Sequence, residues 1–180
     1  MKQNDSDAAL MLKVQEGNAE AFEELMHRHV RQLHAYVFRL CQNTSESEEI
    51  VQEAFMRVWS RAKTWVPRRV KFTTWLFQIA RNLCIDRFRK QTAKLDSSID
   101  LDLIPDASTN RDKELVLALH QVVQELPERQ RTALVLSQIE GWTQSEVAEV
   151  MKSTVEAVES LIARARRTLR TKLQVSPTKN

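Results

Sequence analysis

Between Arg61 and Lys94, ten lysines and arginines stand against one acid, Asp86, in a chain whose net charge is only +3. Trp65, Phe72, Trp75, Phe77 and Phe88 are interleaved with them. Cationic side chains attract phosphates, and aromatic faces can stack bases that have left their partners. The combination suits a surface that holds single-stranded or melted nucleic acid. Just ahead of it the sign reverses, with Glu46, Glu48, Glu49 and Glu53 opposed by Arg57 alone. An acidic face beside a basic aromatic tract admits two readings, a docking surface for a partner or a solvated helix side.

Both stretches need helices to present them, and the periodicity supplies these. Ile50, Val51, Ala54, Phe55, Val58 and Trp59 fall on one apolar stripe, which turns the acids to the other side. Ser45 with Glu48 offers that helix a capping box. A second stripe, Trp75, Leu76, Ile79, Ala80, Leu83 and Cys84, belongs to a helix starting near Thr73. Of its aromatics Trp75 is expected in the core, while the pattern leaves Phe77 and Phe88 open. Upstream, Asp7 can cap and Gly17 can end a short helix over 7–16, and Asn18 can cap the next, which runs to about Cys41.

The character changes at Leu95. From there to Asp112 the chain carries five Asp, three Ser, one Pro and a single basic residue, which reads as an acidic linker. Helical patterning resumes over about 112–125, 128–140, 143–151 and 154–173, with Leu126-Pro127 as a break and Gly141 as a stop. Two capping boxes follow, Thr143 with Glu146 and Ser153 with Glu156. Two short helices around a tight turn near Lys152 describe a helix-turn-helix. The second ends in Arg164, Arg166, Arg167, Arg170 and Lys172 without an acid, which suits phosphate contact.

The expected fold class is therefore all-α, with two small helical domains joined by a flexible acidic linker. The boundaries fall at 7–94, 95–111 and 112–174. An apolar content of 42% with two Gly and four Pro supports packed helices over a turn-rich β fold. Cys41 and Cys84 sit in apolar stripes and read as core thiols in a reducing cytosol. No apolar run reaches membrane-span length, and MKQNDSDAAL is unlike a signal peptide, so the chain is expected to be soluble, cytoplasmic and not inserted in a membrane.

Three segments, in this order, resemble the sigma-70 class of bacterial sigma factors, in the small two-domain extracytoplasmic-function group (group IV). EEIVQEAFMRVW is similar to that family's core-binding helix, and KFTTWLFQIARNLCIDRFRK to its promoter-melting, −10-reading segment. LPERQRTALVLSQIEGWTQSEVAEVMKSTVEAVESLIARARRTL is similar to its C-terminal −35-reading domain. The resemblance implies sigma region 2 and sigma region 4 domains, binding of core RNA polymerase, promoter DNA as target and promoter-specific initiation. It also implies a stress or envelope-response regulon and control by a cognate anti-sigma factor, often held at the membrane.

Site residues carry over by position. Gln52 and Glu53 match the polymerase-docking positions, flanked by Glu49 and Arg57. For the −10 element the resemblance points to Trp65, Arg68, Arg69, Lys71 and Phe72 around a base-capturing connector, with Asn82, Asp86, Arg87 and Lys90 toward the displaced strand. Splaying a base out costs a few kcal/mol, which such a pocket must recover. For the −35 element, Thr154, Glu156, Ser160, Ala163 and Arg164 lie toward the groove, and Arg129, Arg131, Arg167 and Arg170 read as phosphate anchors. Two departures stand out. Many relatives have Gly where this chain has Lys152, which then has to adopt positive φ, and many have Lys or Arg where it has Glu159.

No catalytic constellation, metal site or cofactor motif is evident. His27, His29 and His34 lack further ligands and read as surface histidines. Neither cysteine has a His pattern for nucleophilic chemistry, and there is no Gly-rich phosphate loop. The rival reading is a stand-alone helix-turn-helix regulator of duplex DNA. It accounts for residues 127–173 but leaves the 46–90 tract without a role.

Overall fold

A computed structural model describes residues 6–67, 69–92, 119 and 121–174, and the described residues contain helices and connectors but no strand. The chain divides into two compact units, Met1–Ser98 and Ile99–Asn180. The acidic linker, 95–111, and most of the expected 112–125 helix lie outside the described residues.

The first unit is built on α1 (Asp7–Gln15), α2 (Ala19–Cys41), α3 (Thr44–Ser60) and α4 (Phe72–Thr92), with a 3₁₀ turn at Ala62–Thr64. Helix α3 packs on α2 and α4, and α1 lies on α2. Apolar side chains spaced three and four apart close the core between them: Leu25, Leu33, Tyr36 and Val37 from α2, Ile50, Ala54 and Val58 from α3, Leu76, Phe77 and Ala80 from α4. The Tyr36 and Phe77 ring centroids are 5.0 Å apart. Phe77, which the pattern leaves open, is thus a core residue. The Cys41 and Cys84 sulfurs lie 3.9 Å apart between α2 and α4 as thiols.

Helix ends follow capping chemistry, with three shifts from the expected residues. Ser6, not Asp7, caps α1. The Asp7 carboxylate is turned onto α2, where it meets His29 Nε2 at 2.7 Å and Arg28 Nη1 at 3.2 Å. His29 is accordingly no surface residue: its side chain is 12% exposed and its ring lies 5.3 Å from Phe72. Asn43 rather than Ser45 caps α3, its Oδ1 accepting from the Glu46 N–H at 2.9 Å. Asn18 caps α2 as expected, and Gly17 turns the chain with φ +89°.

In the second unit, α5 (Glu128–Leu134) runs into a π-helical turn (Val135–Ile139), followed by α6 (Gln144–Met151) and α7 (Val155–Gln174). Leu126, Leu134 and Ala165 form a buried cluster with Val123 and Leu169 packed on it. Thr143 and Glu146 make the expected capping box of α6. Between α6 and α7, Lys152 takes the left-handed conformation, φ 48° and ψ 53°, that its place in the turn demands. The cap of α7 is Thr154, whose hydroxyl accepts from the Ala157 N–H at 3.2 Å. Ser153, the expected cap, instead accepts from Arg129 Nη2 at 3.3 Å.

Candidate nucleic-acid interface

Helices α3 and α4 meet along a cleft of about 460 Å³. From α3 it is lined by Glu49, Gln52, Glu53, Met56 and Arg57, and from α4 by Leu83, Asp86, Arg87 and Lys90. Every residue expected to dock on polymerase therefore shares one cleft with three of those expected to face the −10 strand. Glu49 pairs with Arg87 across it. Arg57 donates to Glu53 at 2.8 Å one turn back on its own helix, and Arg89 to Asp86 at 3.3 Å. Gln52, Asn82 and Lys90 are exposed.

The connector between α3 and α4 is clamped from behind. Gln15 Nε2, at the end of α1, donates to the Ala62 carbonyl at 3.0 Å and to the Trp65 carbonyl at 2.7 Å. Arg69 and Lys71 are left on the outside. Arg68 lies outside the described residues. Trp65 and Phe72, expected at the base-capturing connector, are each only 3% exposed. Their rings form the floor under the connector and have no face to offer a base in this arrangement. The Trp65 indole N–H is buried without a hydrogen-bond partner.

Two exposed apolar side chains escape the periodicity. Trp59, placed by its spacing on the buried stripe, is 42% exposed, and Met56 is 59% exposed. They edge a groove of about 730 Å³ between α2 and α3, floored by Phe22, Met26, Val51 and Phe55. The Phe22 ring lies 5.1 Å from Trp59 and 6.3 Å from Phe55.

In the second unit, α7 turns Glu156, Glu159, Ser160, Ala163, Arg164, Arg167 and Arg170 outward, with Val158, Ile162 and Ala165 against the core. Thr154 is exposed but its hydroxyl is engaged as the cap. The Glu156 carboxyl is held below the usual glutamate range by its own backbone N–H and by the Thr154 hydroxyl. Arg131, expected as a phosphate anchor, is half-buried and engaged within its own unit. Its guanidinium donates to the Gln124 side chain, to the Gln124 carbonyl at 2.9 Å and to the Leu126 carbonyl at 3.3 Å. Charge at this position serves the carbonyls left open where the chain breaks before Pro127. Arg129 is exposed.

Among the described residues no group of three or more His, Cys, Asp or Glu could hold a metal ion, and no helix is long and apolar enough to cross a membrane.

A four-helix unit with an acidic-to-basic cleft and a separate helix-turn-helix unit define the class: a two-part, all-α DNA-binding protein. The comparisons give its family. The family model for Sigma-70 region 2 matches residues 25–94 and that for Sigma-70, region 4, residues 117–169. The ECF RNA polymerase sigma factor SigW of Bacillus subtilis is 30% identical, over 90% of this chain and 94% of its own. The RNA polymerase sigma-H factor of Pseudomonas aeruginosa is 30% identical over 97% of both. Among solved structures, CnrH in complex with the cytosolic domain of CnrY is similar with a TM-score of 0.75 and 26% identity, covering 96% of this chain and 100% of that one. The chain belongs to the extracytoplasmic-function group of the sigma-70 family of RNA polymerase sigma factors. It is a promoter-specificity subunit that acts with core RNA polymerase on promoter DNA rather than a stand-alone regulator, and its family is not a class of enzymes.

Proposed function

We propose that the two rims of the α3/α4 cleft divide the work of initiation. Glu49, Gln52, Glu53 and Arg57 dock on the polymerase clamp, and Asn82, Asp86, Arg87 and Lys90 hold the displaced −10 strand. Arg68, Arg69 and Lys71 on the connector bind its phosphates, with Trp65 and Phe72 packed beneath as support. On α7, Ser160, Ala163 and Arg164 face the −35 bases, while Arg129, Arg167 and Arg170 anchor phosphates and Thr154 and Glu156 fix the helix start. The working boundaries are 7–94 for the first domain, 95–111 for the linker and 112–174 for the second. The protein acts in the bacterial cytoplasm, on a stress or envelope-response regulon.

One observation carries this reading: residues of the polymerase set and of the −10 set line the same cleft, from opposite helices. A surface that must place melted DNA against polymerase needs that adjacency. Restraint by an anti-sigma factor completes the proposal. CnrH is bound by the cytosolic domain of CnrY, and the groove edged by Met56 and Trp59 offers apolar area of the kind such a partner would cover.

Promoter-specific run-off transcription with purified core polymerase tests the whole. Joint Gln52→Ala and Glu53→Ala substitution is expected to weaken core binding about tenfold or more, as loss of central interface residues does. Binding of −35 duplex by the second domain should be unchanged. Equal loss of both would defeat the assignment.

A further inference from the structure

We propose that Glu159 reads a base in promoter recognition, selecting cytosine in the major groove. This rests on the proposed role of α7 as the −35 helix. On the outward side of α7, two acids precede a run of arginines, and the two differ in what holds them. Glu156 is engaged at the helix start by its own backbone N–H and the Thr154 hydroxyl. Glu159 is exposed, and its side chain has no hydrogen bond or ion pair among the described residues. Its helical neighbours three and four residues away are Val155, Glu156, Ile162 and Ala163, none of them basic. Nothing on its own helix at that spacing neutralises it.

An unneutralised carboxylate on a helix that approaches a polyanion is repelled unless it finds a donor. The major groove exposes only two, the amino groups of cytosine and adenine. Adenine sets its N7 acceptor beside that amino group, which opposes a second carboxylate oxygen. Guanine presents only acceptors there, and thymine an acceptor and a methyl group. Cytosine carries no acceptor of its own beside its amino group, so its groove edge opposes a carboxylate less than that of adenine, which adds N7, and cytosine is the base that a lone carboxylate satisfies best. Glu159 sits in the second turn of α7, within the half of a recognition helix that contacts base edges.

The test is a promoter library randomised across the −35 element, selected by transcription with core polymerase and the full chain. Wild type should enrich cytosine at one position, on the strand contacted, by roughly 5- to 10-fold over the disfavoured bases, the low end of the range for a bidentate base contact, since one N4–H is available to the carboxylate. Glu159→Gln should move that position toward adenine and Glu159→Arg toward guanine, with every other position unchanged. Circular dichroism should show all three chains equally helical, since the side chain is exposed. Unchanged base preferences in both variants, with affinity rising uniformly as the acid is lost, would overturn the inference and leave Glu159 as a flanking charge. A wild-type chain with no −35 preference at all would overturn the −35 reading itself, and this inference with it.

Discussion

Arg87 on α4 is ion-paired with Glu49 on α3, and the pair joins the acidic helix to the basic one at the mouth of their shared cleft. The side chains are 36% and 59% exposed, respectively. Pairs this open contribute about 0.2–1 kcal/mol and fade with salt. Its proposed significance is functional. Glu49 is assigned to polymerase and Arg87 to DNA, and each is occupied by the other until a partner competes. A double-mutant cycle with Glu49→Ala and Arg87→Ala should show a coupling of no more than about 1 kcal/mol in chemical denaturation. Promoter opening, followed by permanganate reactivity of unpaired thymines, should fall far more with Arg87→Ala than the stability does. A parallel loss in both measurements would make the pair structural only.

Arg129 and Arg131 lie two residues apart on α5 and should part company on mutation. Arg131 serves the Gln124 side chain and two carbonyls at the break before Pro127. Arg131→Met removes a charged donor from partly buried acceptors, which typically costs about 1.5–3 kcal/mol. Thermal denaturation of the second unit should report that loss. Arg129→Ala should leave the melting temperature nearly unchanged, lower −35 duplex affinity and reduce the salt slope of binding by about one phosphate contact.

That contrast also marks where reading the sequence stops. Helix positions were legible because apolar spacing and Gly, Asn and Pro punctuation agree along α2, α3, α4, α6 and α7. Three caps were missed by one or two residues, since adjacent Ser, Thr, Asn and Asp all offer an acceptor. Tertiary contacts then choose among them: His29 and Arg28 draw Asp7 away, and Arg129 takes Ser153. Arg131 and Arg129 look alike by charge, and only the position of open carbonyls separates them. Trp65 and Phe72 look like stacking platforms by composition, but Gln15 pins the connector over them. The π-turn at Val135–Ile139 has no residue signature in the pattern. At the α3/α4 cleft, by contrast, the residues that the charge reversal and the family resemblance singled out line one cleft from opposite helices.

The start of α7 should carry a signature in pH. The Glu156 carboxyl is lowered first by its own backbone N–H, then by the Thr154 hydroxyl, against a smaller opposing effect of burial. A carboxyl depressed in the folded chain contributes stability that is fully present above its unfolded pKa. That contribution is lost as the pH falls through the lower, folded value. Carbon-detected NMR titration should place the Glu156 midpoint below that of an unstructured glutamate. Thr154→Val, which removes the hydroxyl but not the backbone N–H, should return part of the shift. A midpoint indifferent to Thr154 would assign the whole effect to the backbone.

Lys152 holds the turn of the helix-turn-helix in a conformation that costs an L side chain about 1–2 kcal/mol relative to a relaxed one. Its φ of 48° and ψ of 53° fall in the left-handed region, and the turn is fixed from both sides. The Lys152 N–H reaches the Glu149 carbonyl at 3.2 Å, and the Ser153 N–H the Ala148 carbonyl at 2.9 Å. Glycine adopts this backbone without that cost, although its freer unfolded chain returns part of the gain. Lys152→Gly is therefore expected to stabilise the second unit by about 0.5–1 kcal/mol, read as a higher denaturant midpoint at unchanged slope. Lys152→Ala keeps the left-handed penalty and should give no such gain, which separates relief of backbone strain from loss of the charge. Stabilisation by both substitutions would point to charge, and by neither to a turn that relaxes away from positive φ in solution.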